Sequence, residues 1–187
     1  MPCKFGSTEN PCQFNVREQH LVVMEGGTKV CVFHLPAGNA MGTPESRRPK
    51  QAWTQTEIDE FDQQILVIIQ NHIANETAVD LEGVTFPGKF SFDGLSDRKV
   101  VLRRASFHRC FFRGQVNFDN LHLSTCRFDS ANFAADANFR NTVFEQGCEF
   151  GGATFTRYAD FSDSRFSGNA VFTDSNFQRG GRCPYLC

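Results

Sequence analysis

From position 102 onward the large apolar residues fall at nearly even intervals. They are Leu102, Phe107, Phe112, Phe118, Leu123, Phe128, Phe133, Phe139, Phe144, Phe150, Phe155, Phe161, Phe166, Phe172 and Phe177, each five or six residues after the last. Two positions before each stands a smaller residue, in order Val100, Ala105, Cys110, Val116, Leu121, Cys126, Ala131, Ala137, Thr142, Cys148, Ala153, Ala159, Ser164, Ala170 and Ser175. A period of five or six fits neither a helix of 3.6 residues per turn nor a strand that alternates every second residue. Each unit is therefore a short extended piece followed by a turn. Gly, Asn, Asp and Ser fill the positions between, as in Phe150-Gly-Gly-Ala and Phe166-Ser-Gly-Asn-Ala, and these residues suit tight turns. Four corners per coil close the path into a square solenoid. Only two side chains per face then point inward, the large residue and its small predecessor, and coils stack at about 4.8 Å.

This register resembles the pentapeptide-repeat family. The resemblance implies a right-handed quadrilateral β-helix, with a central Phe or Leu and a small residue two positions earlier. It covers roughly residues 84–178. Val84 with Phe86 and Phe90 with Phe92 fit it, whereas Asp97 falls where a large apolar residue is expected, so a loop or irregular coil is predicted there. The Asp or Asn that the family commonly places before the central residue stands at Asn117, Asn132, Asn138, Asp160 and Asn176. The six-residue gaps add one residue at alternate corners of the later coils. The expected fold class is an all-β solenoid over 77–180, followed by a tail, 181–187.

A helical pattern precedes the solenoid within 53–76. Ile58, Phe61, Ile65, Leu66, Ile68, Ile69 and Ile73 recur at spacings of three and four, and Thr54 with Glu57 forms a capping box that satisfies two free backbone donors. Asp59, Glu60 and Asp62 suit the positive end of the helix dipole. The apolar face has two uses, as a lid over the open end of the solenoid or as a contact that joins two copies in a homodimer. The lid is the simpler expectation. Residues 35–52 hold Pro36, Gly38, Gly42, Pro44 and Pro49 beside Arg47, Arg48 and Lys50, and read as a linker.

Residues 1–34 form a separate small unit. Cys3, Cys12, Cys31 and His34 give the spacing C-x8-C-x18-C-x2-H, and three soft thiolates with one imidazole are a donor set for structural zinc. The Cys31-Val-Phe-His34 knuckle has a usual ligand spacing; C-x8-C is wider than usual, and His20 is the alternative imidazole. A unit this short has too little core to fold alone, which a bound metal would remedy. Cys110, Cys126 and Cys148 occupy the small inward position of the repeat and are read as packing residues. Cys183 and Cys187 belong to a tail expected to pack over the last coil.

Composition sharpens this picture in two places. The chain has 187 residues and 21 Phe beside one Trp and two Tyr, an excess that a mixed core does not require and a Phe-centred repeat does. The net charge is −2, residues 1–80 carrying −4 and residues 81–187 carrying +2, so neither part is basic enough for a general nucleic-acid binder. No membrane span or secretory leader is read in the sequence, and a cytoplasmic, reducing setting is expected for the eight Cys.

Sites for catalysis are not evident. Gly83-Val-Thr-Phe-Pro-Gly88-Lys89 matches seven positions of a phosphate-binding loop, but Phe90 stands where Ser or Thr must hold magnesium. His108 and His122 are expected outside on different coils as solvated surface, and a narrow tube filled with Phe has no room for a small-molecule substrate. The expected function is a non-enzymatic protein-interaction module. Its candidate partner-binding residues are Arg113, Arg157 and Arg179, placed beside Phe112, Phe155 and Phe177 on one wall without a carboxylate. The next wall carries Asp119, Asp160 and Asp163 against Arg140. The family resemblance implies an alternative, since some members mimic the shape and charge of DNA and occupy type II topoisomerases; that needs an acidic rod, which the +2 of residues 81–187 does not supply. A further alternative is recognition of nucleic acid by the zinc unit, with the rod as spacer.

Overall fold

The computed structural model describes residues 53–93 and 101–179, with the backbone of 22–23, 29–30 and 181–182. Cys3, Cys12, Cys31 and His34, the linker, Asp97 and the tail from Cys183 onward lie outside the described residues. Near the N-terminus, β1 (Val22–Val23) and β2 (Lys29–Val30) form an antiparallel pair.

The helix α1 spans Gln55–Ala74. Thr54 is its N-cap and the capping box is formed: the Glu57 N–H donates to Thr54 Oγ1 at 3.3 Å and the Thr54 N–H donates to Glu57 Oε2 at 2.7 Å. Its buried residues, Phe61, Ile65, Leu66 and Ile69, belong to the same apolar cluster as the first coil. Phe61 meets Phe86 edge-on at 6.1 Å, and Ile58 lies over Gly88. The helix thus covers the start of the solenoid, as expected for a lid.

The solenoid has four parallel faces. On the first lie β3 (Thr85–Phe86), β6 (Phe111–Phe112), β9 (Asn132–Phe133), β12 (Thr154–Phe155) and β16 (Asn176–Phe177). On the second lie β4 (Phe90–Ser91), β7 (Val116–Asn117), β10 (Ala137–Asn138), β13 (Ala159–Asp160) and β17 (Gly181–Arg182). The third holds β5 (Val101–Arg103), the start of β8 (His122–Arg127), the start of β11 (Val143–Glu149) and β14 (Arg165–Phe166). β8 and β11 continue round a corner to the fourth face, where β11 pairs with β15 (Ala170–Val171). Asp80, Ser106 and Arg127 extend that fourth face by parallel bridges.

The register is the one that the Phe spacing predicts. Phe112 pairs with Phe133, Phe133 with Phe155 and Phe155 with Phe177. Cys126 pairs with Cys148, so two small inward residues sit one above the other. Where a gap grows from five to six the extra residue goes to a corner: β11 shifts register against β8 between Glu145 and Cys148, and Gly147 there has φ 103°. Rings stack in four columns, and Phe118, Phe139 and Phe161 follow one another at 4.8 and 4.7 Å with planes within 4°. Such offset stacking adds to the burial energy of each ring.

Corners are turned by left-handed residues. Asn120, Asn141 and Asp163 each have φ 59° and occupy one corner of successive coils, and Asn141 Nδ2 donates to Asn120 Oδ1 at 3.0 Å. A short polar side chain tolerates this conformation and compensates locally with hydrogen bonds. The corner between the first and second faces is different. A Cβ on Gly114 would lie 2.3 Å from the Gly88 carbonyl, so the two backbones approach too closely for a side chain.

Two parts of the sequence reading need extension. The inward register runs back before Val84, where the repeat resemblance starts, into the expected 77–180 span, because Val79 and Leu81 are buried inward residues whose backbone bonds Ser106. Among the described residues Phe92 is followed by Leu102 as the next inward large residue, ten positions on instead of five, and residues 94–100 within this interval lie outside the described residues.

Candidate interaction surface

With the interior closed, chemistry must be sought on the outward positions. Their identity follows from the strand period of two, so every face offers two outward columns and a corner column. On the first face the outward residues carry no charge except one arginine: Phe111, Asn132, Ala134, Thr154, Thr156, Asn176 and Gln178 accompany Arg113. Arg113 follows Phe112 directly, and its Nη1 donates to the Pro87 carbonyl at 3.3 Å.

Arg157 and Arg179 come two residues after Phe155 and Phe177, so the parallel register stacks them on the corner between the first and second faces. Arg113 is therefore one column away from the other two, not in line with them. The stripe also has a carboxylate at its border, contrary to the sequence expectation: Arg157 Nε lies 3.5 Å from Asp136 Oδ1. Asp136 is the corner residue of the preceding coil, which a reading of the positions just after each Phe overlooks. The pair is exposed, and such pairs contribute roughly 0 to 1 kcal/mol. Tyr158 stands beside Arg157 and is 37% exposed.

The second face is acidic as expected, with internal compensation. Arg140 Nε is 3.4 Å from Asp163 Oδ2. Asn117, Asn138 and Asp160 form a ladder in which each side-chain oxygen accepts the N–H two residues on, at 3.0, 2.9 and 2.9 Å. Asn138 Nδ2 also donates to Asn117 Oδ1 at 3.1 Å, which ties one coil to the next. These residues shape the turn. Asp119 is raised from the usual carboxylate range chiefly by burial, with the Asp93 carboxylate adding to the shift and the Asn120 N–H and Arg140 opposing it.

His108 and His122 point outward but are less solvated than expected, with side chains 18% and 15% exposed. His108 sits between Glu82, 3.8 Å from Nε2, and Asp129, 4.0 Å from Nδ1, on the coils before and after it. His122 Nδ1 is 3.7 Å from Glu145. Cys110, Cys126 and Cys148 are buried free thiols, Cys126 being pushed up to about 12 by desolvation and Cys110 and Cys148 raised for the same first cause. They are packing residues, poorly suited to nucleophilic work.

The phosphate-loop-like stretch from Gly83 to Lys89 runs through β3 into β4, and Phe90 is buried where a magnesium ligand would be required. Trp53, Glu57, Glu60, Phe61 and Gln64 line a shallow cleft of about 250 Å³ beside the helix. Among the described residues no cluster of three His, Cys, Asp or Glu has metal-binding geometry, and no helix is long and apolar enough to cross a membrane. The zinc ligands expected from sequence lie outside the described residues.

Comparison with known proteins agrees with this geometry. The model of the family described as pentapeptide repeats (9 copies) matches residues 118–165 and 139–183, all within or bordering the later coils. No curated protein and no solved structure matches the chain.

Proposed function

We propose that this stack of pentapeptide repeats is a non-enzymatic protein-interaction module, a rigid rod that presents the Arg113, Arg157 and Arg179 side of its surface to a protein partner. The observation that carries the reading is the filled interior. Phe112, Phe133 and Phe155 stack at 4.9 and 4.6 Å and are at most 1% exposed, so the rod's variable chemistry lies on its outside. Solenoids offer fixed side chains on extended faces, and arginine suits interfaces because its planar donor fork engages carboxylates with little further ordering. A DNA-mimic role on a type II topoisomerase has less support, since the arginine-bearing corner interrupts any continuous acidic surface.

We further propose a structural zinc on Cys3, Cys12, Cys31 and His34, in a protein that works in the reducing cytoplasm. The support is the donor set and the position of Cys31 directly after β2. Elemental analysis of the full chain should give one zinc that Cys31→Ser abolishes; full zinc content in that variant would refute the ligand set.

The interaction reading is tested by isolating the native complex with the full chain as bait, identifying the partner and measuring association. The triple change Arg113→Glu, Arg157→Glu and Arg179→Glu should slow association about tenfold at low salt and flatten its salt dependence, with little change in melting temperature. Unchanged association at low salt would overturn the assignment of this face.

A further inference from the structure

The arginine-bearing corner has a spacing that restricts what it can hold. We infer that it fits the acidic face of an α-helix lying parallel to the rod; this rests on the proposed interaction function and specifies the partner's chemistry. Arg157 and Arg179 lie in adjacent coils, about 4.8 Å apart along the axis, and Arg113 is two coils before Arg157, about 10 Å away. A helix rises about 1.5 Å per residue, so carboxylates at positions i, i+7 and i+11 lie on one side at about 0, 10 and 16 Å. Arginine arms absorb the remaining difference. An extended strand puts same-side residues nearly 7 Å apart, a poorer match to successive coils of about 4.8 Å.

The surroundings favour the same occupant. Beside the corner, the first face is flat and uncharged at Ala134, Thr154, Thr156 and Gln178, leaving room for a rod about 10 Å across. The second face carries Asp119 and Asp160, which repel a partner that is acidic all round and leave an amphipathic one with a single seating. Tyr158 supplies an exposed aromatic surface next to the guanidinium groups, a composition enriched at interface hot spots. Arg157 is held by Asp136 only through an exposed pair, which a partner carboxylate can replace. Nucleic acid is a worse fit, because duplex DNA carries a charge about every 1.7 Å and three arginines spread over the rod offer a much sparser field.

The test uses the full chain and a labelled alanine-rich helical peptide of about 18 residues with Glu at i, i+4, i+7 and i+11. An isomer of identical composition has its Glu spread round the helix, and a short oligothymidylate is the third probe. At low salt the one-sided peptide should bind about tenfold more tightly than the isomer and more tightly than the oligonucleotide. Arg157→Glu with Arg179→Glu should remove that preference while leaving the melting temperature in place, and Arg165→Glu on the third face should not. Equal binding of the two peptides, or a preference for the oligonucleotide, would overturn the acidic-helix assignment. Peptide failure together with loss of the native partner on triple charge reversal would refute only the helix; retention of the native partner would refute the broader reading.

Discussion

Phe139→Ala removes the ring from the centre of the rod. Phe139 is fully buried, stacks between Phe118 at 4.8 Å and Phe161 at 4.7 Å, and meets Phe128 and Phe150 edge-on at 5.6 and 5.7 Å. Truncation of a buried Phe costs about 3 to 5 kcal/mol, and the loss of several ordered ring pairs puts this site toward the upper end. The parallel backbone ladders on both sides resist collapse into the void, which also argues for a large value. At a urea slope of about 2 kcal/mol per molar, the unfolding midpoint should fall by about 2 M. The control is Asn138→Ala, one residue away and outward, which loses the cap on the Arg140 N–H and the bond to Asn117 and should cost about 1 kcal/mol. Circular dichroism during urea titration of the three proteins gives the comparison. Equal shifts for Phe139→Ala and Asn138→Ala would refute the inward register.

Three other outcomes follow from particular contacts. Gly114→Ala puts a methyl 2.3 Å from the Gly88 backbone and should destabilise by about 2 kcal/mol or more in thermal melts, whereas Gly152→Ala meets its nearest neighbour at 3.5 Å and should show mainly the strain of its positive φ. Asp119→Asn should raise stability at pH 7: a carboxyl raised above its unfolded value favours the fold when protonated, and that contribution is lost as pH rises through the folded value, so a melt at pH 7 that drops with Asn would contradict the buried environment. Cys126, raised from 9.0 to about 12, should resist alkylation in the folded state, and stability should fall from about pH 9 toward 12 as the unfolded thiol ionises first; prompt alkylation of Cys126 at pH 8 in the native protein would show that it is not buried.

The Phe register was legible because a single requirement, one large inward residue per face, acts at every coil and leaves a long periodic trace. The helix was legible for a similar reason, with Thr54 and Glu57 marking its start. What the repeat obscures is the corner. Asp136 belongs to the coil before Arg157, and only the stacking register shows that they meet. His108 likewise reads as surface until Glu82 and Asp129, more than twenty residues away on either side, are brought alongside it. Val79 and Leu81 on the fourth face lie inside the expected 77–180 span but were not placed in the Phe register, since the ten-residue interval from Phe92 to Leu102 breaks the count that would have led back to them. Long-range neighbours in a solenoid are separated by one coil, so an error of one residue at a corner changes the partner.

The central claim is that the rod meets a protein through the corner between its first and second faces. Site-specific photo-crosslinking in the native cell tests it, with a benzophenone amino acid placed at Thr156 or Gln178 beside the arginines, or at Ser167 on the third face. The account predicts a discrete crosslinked protein from Thr156 and Gln178, its loss when Arg157→Glu and Arg179→Glu are added, and none from Ser167. Equal crosslinking from all three positions, or a product that persists after charge reversal, would contradict it.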